Sequence, residues 1–467
     1  MASRVCSRVH KNTLRQVSTI PVPAVRTPSL KHLYSAPSTD VTSIYEGVRV
    51  ASQTLPGETA CIGVWIDSGS RYETAKNNGV AHLLERMTFK GTTSRPQQWL
   101  VEEIENIGGQ VNACTSREHT VYTAKVFEKD VPRAMQIISD ILQNSVLDEK
   151  AIEHEKGVIL HELANNGHAE RVMEYLHETA FLGTNLGQSI VGSEESIKSL
   201  SRNDLVDYIQ THHTAGRFVV AGAGAVDHNE LVDLTRKYFG RLPTEPKKPV
   251  EMQPAIFTGS DKQVRFDSMP EAHIALAFET ASWSSEYVFP LMLIQTILGE
   301  WDRRSPAGLN AASRLAWNMA EDEAAHSFKT FNKFYKDTGL FGVCVTTGER
   351  KVEEAMYHVT YNITRICHEV TDEEVDRAKT QMKANVLMQM GDFSSICDDI
   401  GRQMITYGRR MTTAEIVSRI DALTTDEIKT TANNFFNDED HALAAVGPIF
   451  ELPDYNWIRR RSFWNRY

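Results

Sequence analysis

The 467 residues carry 50 Lys and Arg against 61 Asp and Glu, a formal net charge of −11, which argues against a protein that holds nucleic acid on a basic surface. At 41% hydrophobic and 24% charged residues, the composition is that of an ordinary globular chain, long enough for two to four domains. No run of about 18 apolar residues occurs, so no transmembrane helix is expected and any membrane association is expected to come through partners.

Residues 1–39 contain Arg4, Arg8, Lys11, Arg15, Arg26 and Lys31, many Ser and Thr, and no acid before Asp40. This is the composition of a mitochondrial transit peptide, and the segment lacks the apolar stretch that secretion requires. Its removal is expected somewhere between residues 25 and 40. Lys plus Arg then falls from 50 to 44 while the 61 acids stay, leaving about −17 and a body suited to solubility and to attracting basic peptides. Six cysteines, Cys6, Cys61, Cys114, Cys344, Cys367 and Cys397, form no C-x-x-C pair. Five of them remain after removal of the leader, and they fit a reducing compartment in which thiols act as small hydrophobes.

Ala60–Ile66 reads as a strand, and the next element is a helix around His82-Leu83-Leu84-Glu85-Arg86. Positions 82 and 86 share one helical face. Two histidines there with a glutamate between them would make a metallopeptidase motif of the H-x-x-E-H type. Arg86 stands where the second histidine is needed; it offers no lone pair and repels the ion. Gly108-Gly109 runs into Asn112–Thr120, and Thr120–Val126 alternates as a strand before a helix containing Ala134-Met135. From Asp148 to Leu163 the pattern is helical, with Ile152, Ile159 and Leu163 on the apolar face and Glu155 and Glu162 two turns apart beside it. His154, His161 and His168 on or near this helix read as surface histidines, and His212-His213 as a helix end. Gly222-Ala223-Gly224 reads as a strand end.

The pattern then recurs. Ala272–Phe278, an apolar helix from about Phe289 to Leu298, Leu340–Val345 leading into Ala355-Met356, and a helix opened by Asp372-Glu373 repeat the first series at offsets of 212 to about 224 residues. This predicts two copies of one α+β domain, each a mixed sheet packed against helices, at 40–243 and 254–450. The Pro- and charge-rich segment 244–253 is the expected linker. Lys379 and Val386 occupy the positions of Glu155 and Glu162 in the second copy, so any metal centre is expected in the first. The chain closes on 451–467, a tail with Arg459, Arg460, Arg461, Phe463, Trp464, Arg466 and Tyr467 that suits docking on a partner or near lipid head groups.

The His82–Arg86 stretch, its 76-residue spacing to Glu162, the run Glu85-Arg86-Met87-Thr88-Phe89-Lys90-Gly91-Thr92 and the Asn112–Glu118 segment resemble the pitrilysin/insulysin-type metallopeptidases. Within them the likeness is to the mitochondrial processing peptidase and respiratory complex III core protein group, and it covers nearly all of the chain after residue 40. The resemblance implies His82 and Glu162 as zinc-ligand positions, Glu85 as the general-base position and Glu155 as a glutamate supporting the ligands. It also implies Asn112–Thr120 as the edge strand beside the metal centre and Tyr335, within Phe331–Tyr335, as a residue that steadies a tetrahedral intermediate. The second histidine ligand does not carry over, so the site is expected to be vestigial and no cofactor is expected, with Arg86 forked onto Glu162 or Glu85 in the metal's stead. The C-terminal residues are more similar to the core proteins of the group. The function implied is a structural core subunit, of the core protein 1 type, in ubiquinol–cytochrome c reductase. It would be peripheral on the matrix side of the inner membrane, beside a homologous core protein 2, cytochrome b, cytochrome c1 and the Rieske subunit. The alternative is a β-type processing peptidase subunit that cleaves presequences with zinc.

Overall fold

A computed structural model of the chain describes residues 37–44, 47–165, 171–305 and 311–463. The expected transit segment lies outside these residues apart from 37–39. Two six-stranded mixed sheets carry the fold. The first contains β1 (Asp40–Ser43), β2 (Arg49–Thr54), β3 (Thr59–Ile66), β4 (Gln110–Thr115), β5 (Thr120–Phe127) and β6 (Phe218–Gly224), in the order β1-β2-β6-β3-β5-β4. The second contains β7 (Asp261–Arg265), β8 (Ala272–Thr280), β9 (Glu300–Asp302), β10 (Ser327–Phe334), β11 (Gly339–Thr347) and β12 (His441–Gly447), in the order β7-β12-β8-β11-β10-β9. In each sheet one pair is parallel, β2 with β6 and β7 with β12, and the rest are antiparallel. The repeat read from the sequence is therefore a repeat of topology: β2, β3, β4, β5 and β6 answer to β7, β8, β10, β11 and β12.

Each sheet is covered on both faces, which explains why β6 and β12 are buried at every residue. In the first half, helices Val131–Gln143 and His228–Phe239 pack on one face through Ile137, Ile138, Ile141, Leu231 and Phe239. The opposite face receives helix Phe393–Thr406, whose Ile396, Cys397, Ile400 and Met404 lie on Ala51, Cys61, Trp65, Ala221 and Ala223. That helix comes from the second half of the sequence. Reciprocally, helix Val172–Ala180 leaves the first half and lays Val172, Leu176 and Ala180 on Ala275, Ala277, Ala442, Ala444 and Val446 of the second sheet. Each half of the sequence, 40–243 and 254–450, thus lends one helix to its neighbour's sheet. Small sheet residues permit the close crossing. A Cβ on Gly401 of the exchanged helix would fall 2.2 Å from the Trp65 ring.

Ion pairs bind the same seam. Arg71 is fully buried, and its guanidinium donates to Glu118 at 2.7 Å and, across the seam, to Asp337 at 2.5 Å and to the carbonyl of Gln253 at 3.2 Å. Nearby, the Lys336 ammonium reaches Asp67 at 2.6 Å and the Tyr72 hydroxyl at 2.7 Å.

The described part of the C-terminal tail is less available than its composition suggests. Helix Tyr455–Arg461 buries Ile458, Arg459 pairs with Asp438 and Asp440, and the Arg461 guanidinium lies over the Trp457 and Tyr357 rings. These arginines serve the chain's own packing because acidic and aromatic partners lie within its own second half.

Candidate metal centre

Helix Val80–Thr88 presents the motif. Its start is fixed by Glu73, a residue the sequence did not single out. The buried Glu73 carboxylate accepts from the N–H groups of Gly79 (2.7 Å) and Ala81 (2.8 Å) and from the Asn78 amide (2.9 Å), so a side chain six residues upstream closes the open end of the helix. Gly79 sits at φ 93°, a conformation that favours glycine. Burial pushes the Glu73 carboxyl up to about 8, against the pull of its three donors. The apolar face, Val80, Leu83, Leu84 and Met87, joins Ile152 and Ile159 of helix Glu149–Asn165 and Leu205 and Tyr208 of helix Arg202–His212 in one core. That core brings the motif against Glu162.

The structure resolves the choice left open for Arg86. Its guanidinium donates to the Glu162 carboxylate, both side chains being partly exposed. A second cation stands beside it: Lys90, four residues on, binds the nearly buried Glu155 carboxylate at 2.7 Å. Burial pushes Glu155 up, but Lys90, with help from His154 and Arg86, outweighs it and leaves the carboxyl below its ordinary range. Glu155 and Glu162 thus each have a cationic partner. His82 is held mainly neutral: burial lowers its pKa, as does Arg86, against Glu85 and Glu162. Its Nδ1 is buried without a hydrogen-bond partner. Glu85 is half-buried between His82 and Arg86, and its charge acts on His82, Cys114 and Tyr122.

A zinc ion does not fit this set. A catalytic centre needs three protein ligands and an open position for water. Here His82 and Glu162 are the two motif ligands present, and Glu162 is taken by the guanidinium that replaces the third. The site can hold a charge pair and shape a helix interface; activating a water requires more than it offers.

Tyr335 is placed elsewhere. Its hydroxyl meets His177 Nε2 at 2.7 Å, its ring packs edge-on to Phe181, and burial raises its phenol to about 12. It stands in the core formed by the exchanged helix Val172–Ala180, as a packed aromatic that joins the halves. Of the other histidines, His161 is exposed and bonded to Asn165, while His168 lies outside the described residues. His212 and His213, expected as simple helix-end residues, are buried; burial lowers them to about 3 and about 4. The Tyr72 and Tyr208 rings pack tilted against His212, Tyr208 from one turn earlier on the same helix and Tyr72 from far away in the sequence.

Strand β4 is the edge of the first sheet, as expected for the Asn112 segment, whereas the corresponding β10 is covered by β9. Beside β4 lies a groove of about 560 Å³ that includes Gln110, Asn112, Cys114, Asp398, Asp399 and Arg402. Such an edge can pair with an extended peptide. In the second half, Lys379 reaches the carbonyl of Asp421 at 3.4 Å.

Comparison with known proteins places this geometry. The insulinase (peptidase family M16) profile matches residues 49–194, and the profile of the peptidase M16 inactive domain matches residues 199–382. The chain belongs to peptidase family M16. It is 45% identical over 463 residues to the probable mitochondrial-processing peptidase subunit beta of Arabidopsis thaliana, covering 98% of this chain and 86% of that one. It is 46% identical over 435 residues to the mitochondrial-processing peptidase subunit beta of Homo sapiens, covering 92% and 89%. Its fold is shared with a chain of complex III2 from Candida albicans, with a TM-score of 0.81 at 23% identity, covering 91% of this chain and all of that one. This chain has two six-stranded sheets and, where the sequence resemblance implies the second histidine ligand, Arg86.

Proposed function

We propose that this chain is a non-catalytic M16 subunit with a structural role: a core protein of the ubiquinol–cytochrome c reductase type, core protein 1. It would be peripheral on the matrix side of the inner mitochondrial membrane, paired with a homologous core protein 2 and adjoining cytochrome b, cytochrome c1 and the Rieske subunit. The observation that carries this reading is the Arg86–Glu162 pair, which ties up a carboxylate that a metal would need. The mitochondrial relatives support the compartment. Likeness to a complex III2 chain supports the frame. No helix among the described residues is long and apolar enough to cross a membrane, which suits a peripheral subunit.

A second reading has its own support. The curated relatives, by name, favour a mitochondrial-processing peptidase β subunit, and the open β4 edge with the groove beside it suits an extended peptide such as a presequence. The ligand set stands against that activity in this chain.

Affinity isolation of the tagged full-length protein from detergent-solubilised mitochondria, with mass spectrometry, separates the two. Cytochrome b, cytochrome c1 and the Rieske protein recovered in near-stoichiometric amounts is the expected result. Recovery of one soluble homologous chain without cytochromes would replace the first reading by the second.

A further inference from the structure

The exchanged helix Phe393–Thr406 does more than cover a sheet, because it sets two thiols from opposite halves of the chain against each other. Cys61 is on β3 and Cys397 on the helix, both buried in one small core with Ala221 and Ala223. The close approach of Gly401 to the Trp65 ring, one helical turn further along, fixes the height of the helix over the strand. The Cys397 thiol donates to the carbonyl of Ala221 at 3.6 Å, and Ala221 lies opposite Gly63 in the register, two residues from Cys61. The Cys397 thiol and the Ser394 hydroxyl are the polar neighbours of the Cys61 sulfur. It also forms part of the wall of the groove beside β4, a space open to water-sized molecules.

We propose that Cys61 and Cys397 are a peroxide-sensitive dithiol whose disulfide staples the second half's helix to the first half's sheet.

The chemistry assigns the two sulfurs different parts. The neighbouring Cys397 thiol, Ser394 hydroxyl and Lys125 favour the Cys61 thiolate against burial and Asp392, so its pKa lies below that of an ordinary thiol, whereas burial and Cys61 push Cys397 up. The other described thiols go the opposite way. Burial pushes Cys344 and Cys367 up to about 12. Cys114, although exposed, is raised by partial burial and by Glu85 and Asp398. The thiolate is the nucleophile. Cys61 attacks one oxygen of hydrogen peroxide, the O–O bond breaks, and the departing hydroxide takes a proton to leave as water, giving a sulfenic acid. Cys397 then attacks the Cys61 sulfur, loses its proton, and displaces hydroxide, which leaves with that proton as a second water. Two thiols lose two electrons, and peroxide is reduced to two waters. The bond joins the two halves across most of the sequence, so it closes a very long loop of the unfolded chain.

The test uses the full-length protein in its native complex. It is titrated with hydrogen peroxide, denatured, alkylated and digested without reduction for mass spectrometry. The expected product is a Cys61–Cys397 peptide pair lighter by two hydrogens, formed before Cys114 is modified and reversed by dithiothreitol. With Cys397→Ser the product becomes a sulfenic acid at Cys61 that dimedone traps; with Cys61→Ser, Cys397 stays reduced. Oxidation of Cys114 while Cys61 and Cys397 remain alkylatable would overturn the proposal. So would a wild-type Cys61 sulfenic acid that never passes to the disulfide.

Discussion

Replacing Arg71 by methionine removes the charge that joins the two halves while keeping much of the side chain's volume. The guanidinium is wholly inaccessible and serves Glu118, which is 7% exposed, and Asp337, which is 27% exposed. Removing one partner of a buried pair costs roughly 3–5 kcal/mol, because the remaining charge stays desolvated. Most of this falls on Glu118, whose carboxyl burial already pushes up and which would keep the Lys336 N–H at 3.0 Å as its remaining donor. Asp337 retains the Ala255 N–H at 2.8 Å and is partly screened by water, so Asp337→Asn should cost only about 1 kcal/mol. The double variant Arg71→Met/Glu118→Gln should recover part of the loss, since a neutral amide needs no counter-charge. Urea unfolding followed by tryptophan fluorescence measures all four proteins. A loss below about 1 kcal/mol for Arg71→Met, or no recovery in the double variant, would refute the view that this charge network holds the seam.

Three further outcomes follow from the packing and the buried ionisable groups. Gly401→Ala would ordinarily stabilise a helix by about 1 kcal/mol, but here its Cβ overlaps the Trp65 ring, so thermal unfolding should show a loss of roughly 1–3 kcal/mol; a rise in Tm would show that the helix can lift off the sheet freely. Glu73 keeps a proton in the folded state that it releases when unfolded. Its contribution is therefore present below the unfolded carboxyl range and is lost as pH rises to about 8; Glu73→Gln should flatten the stability profile in that window, and an unchanged slope would assign it to another group. His212 and His213 are held neutral, with pKa values lowered by burial to about 3 and about 4. Their neutral forms support the fold above the ordinary histidine range, and that support drains away as pH falls through those values. His212→Gln should move the acid unfolding midpoint downward, and a midpoint that stays in place would show that His212 does not govern it.

How much could be read beforehand differs from element to element. Strands β3, β5, β8 and β11 were legible because runs such as Cys61–Ile66 and the alternation at Thr120–Val126 report burial directly. That His82 and Arg86 share a helical face was legible from spacing, whereas Glu162 came from the family resemblance, which left Glu85 open as the other partner of Arg86. The exchange of helices was not. Ile396, Cys397, Ile400 and Met404 mark an apolar stripe, and such a stripe says that a sheet is covered without saying whose. The partners of Arg71, Glu73 and Lys90 were hidden for the same reason: each is a charge whose meaning comes from a residue 6 to 266 positions away. The tail misled because Arg459 and Arg461 look like free cations until Asp438, Asp440 and Tyr357 are brought beside them.

Zinc analysis of the purified wild-type protein, alone and with its homologous partner, beside Arg86→His prepared in the same way, decides whether Arg86 stands in for the metal. No stoichiometric zinc is expected in the wild type, and zinc uptake is expected in Arg86→His, where His82, the introduced imidazole and a released Glu162 would supply three ligands. One tightly held zinc per wild-type chain, with cleavage of a presequence peptide that chelation abolishes, would contradict that role of Arg86.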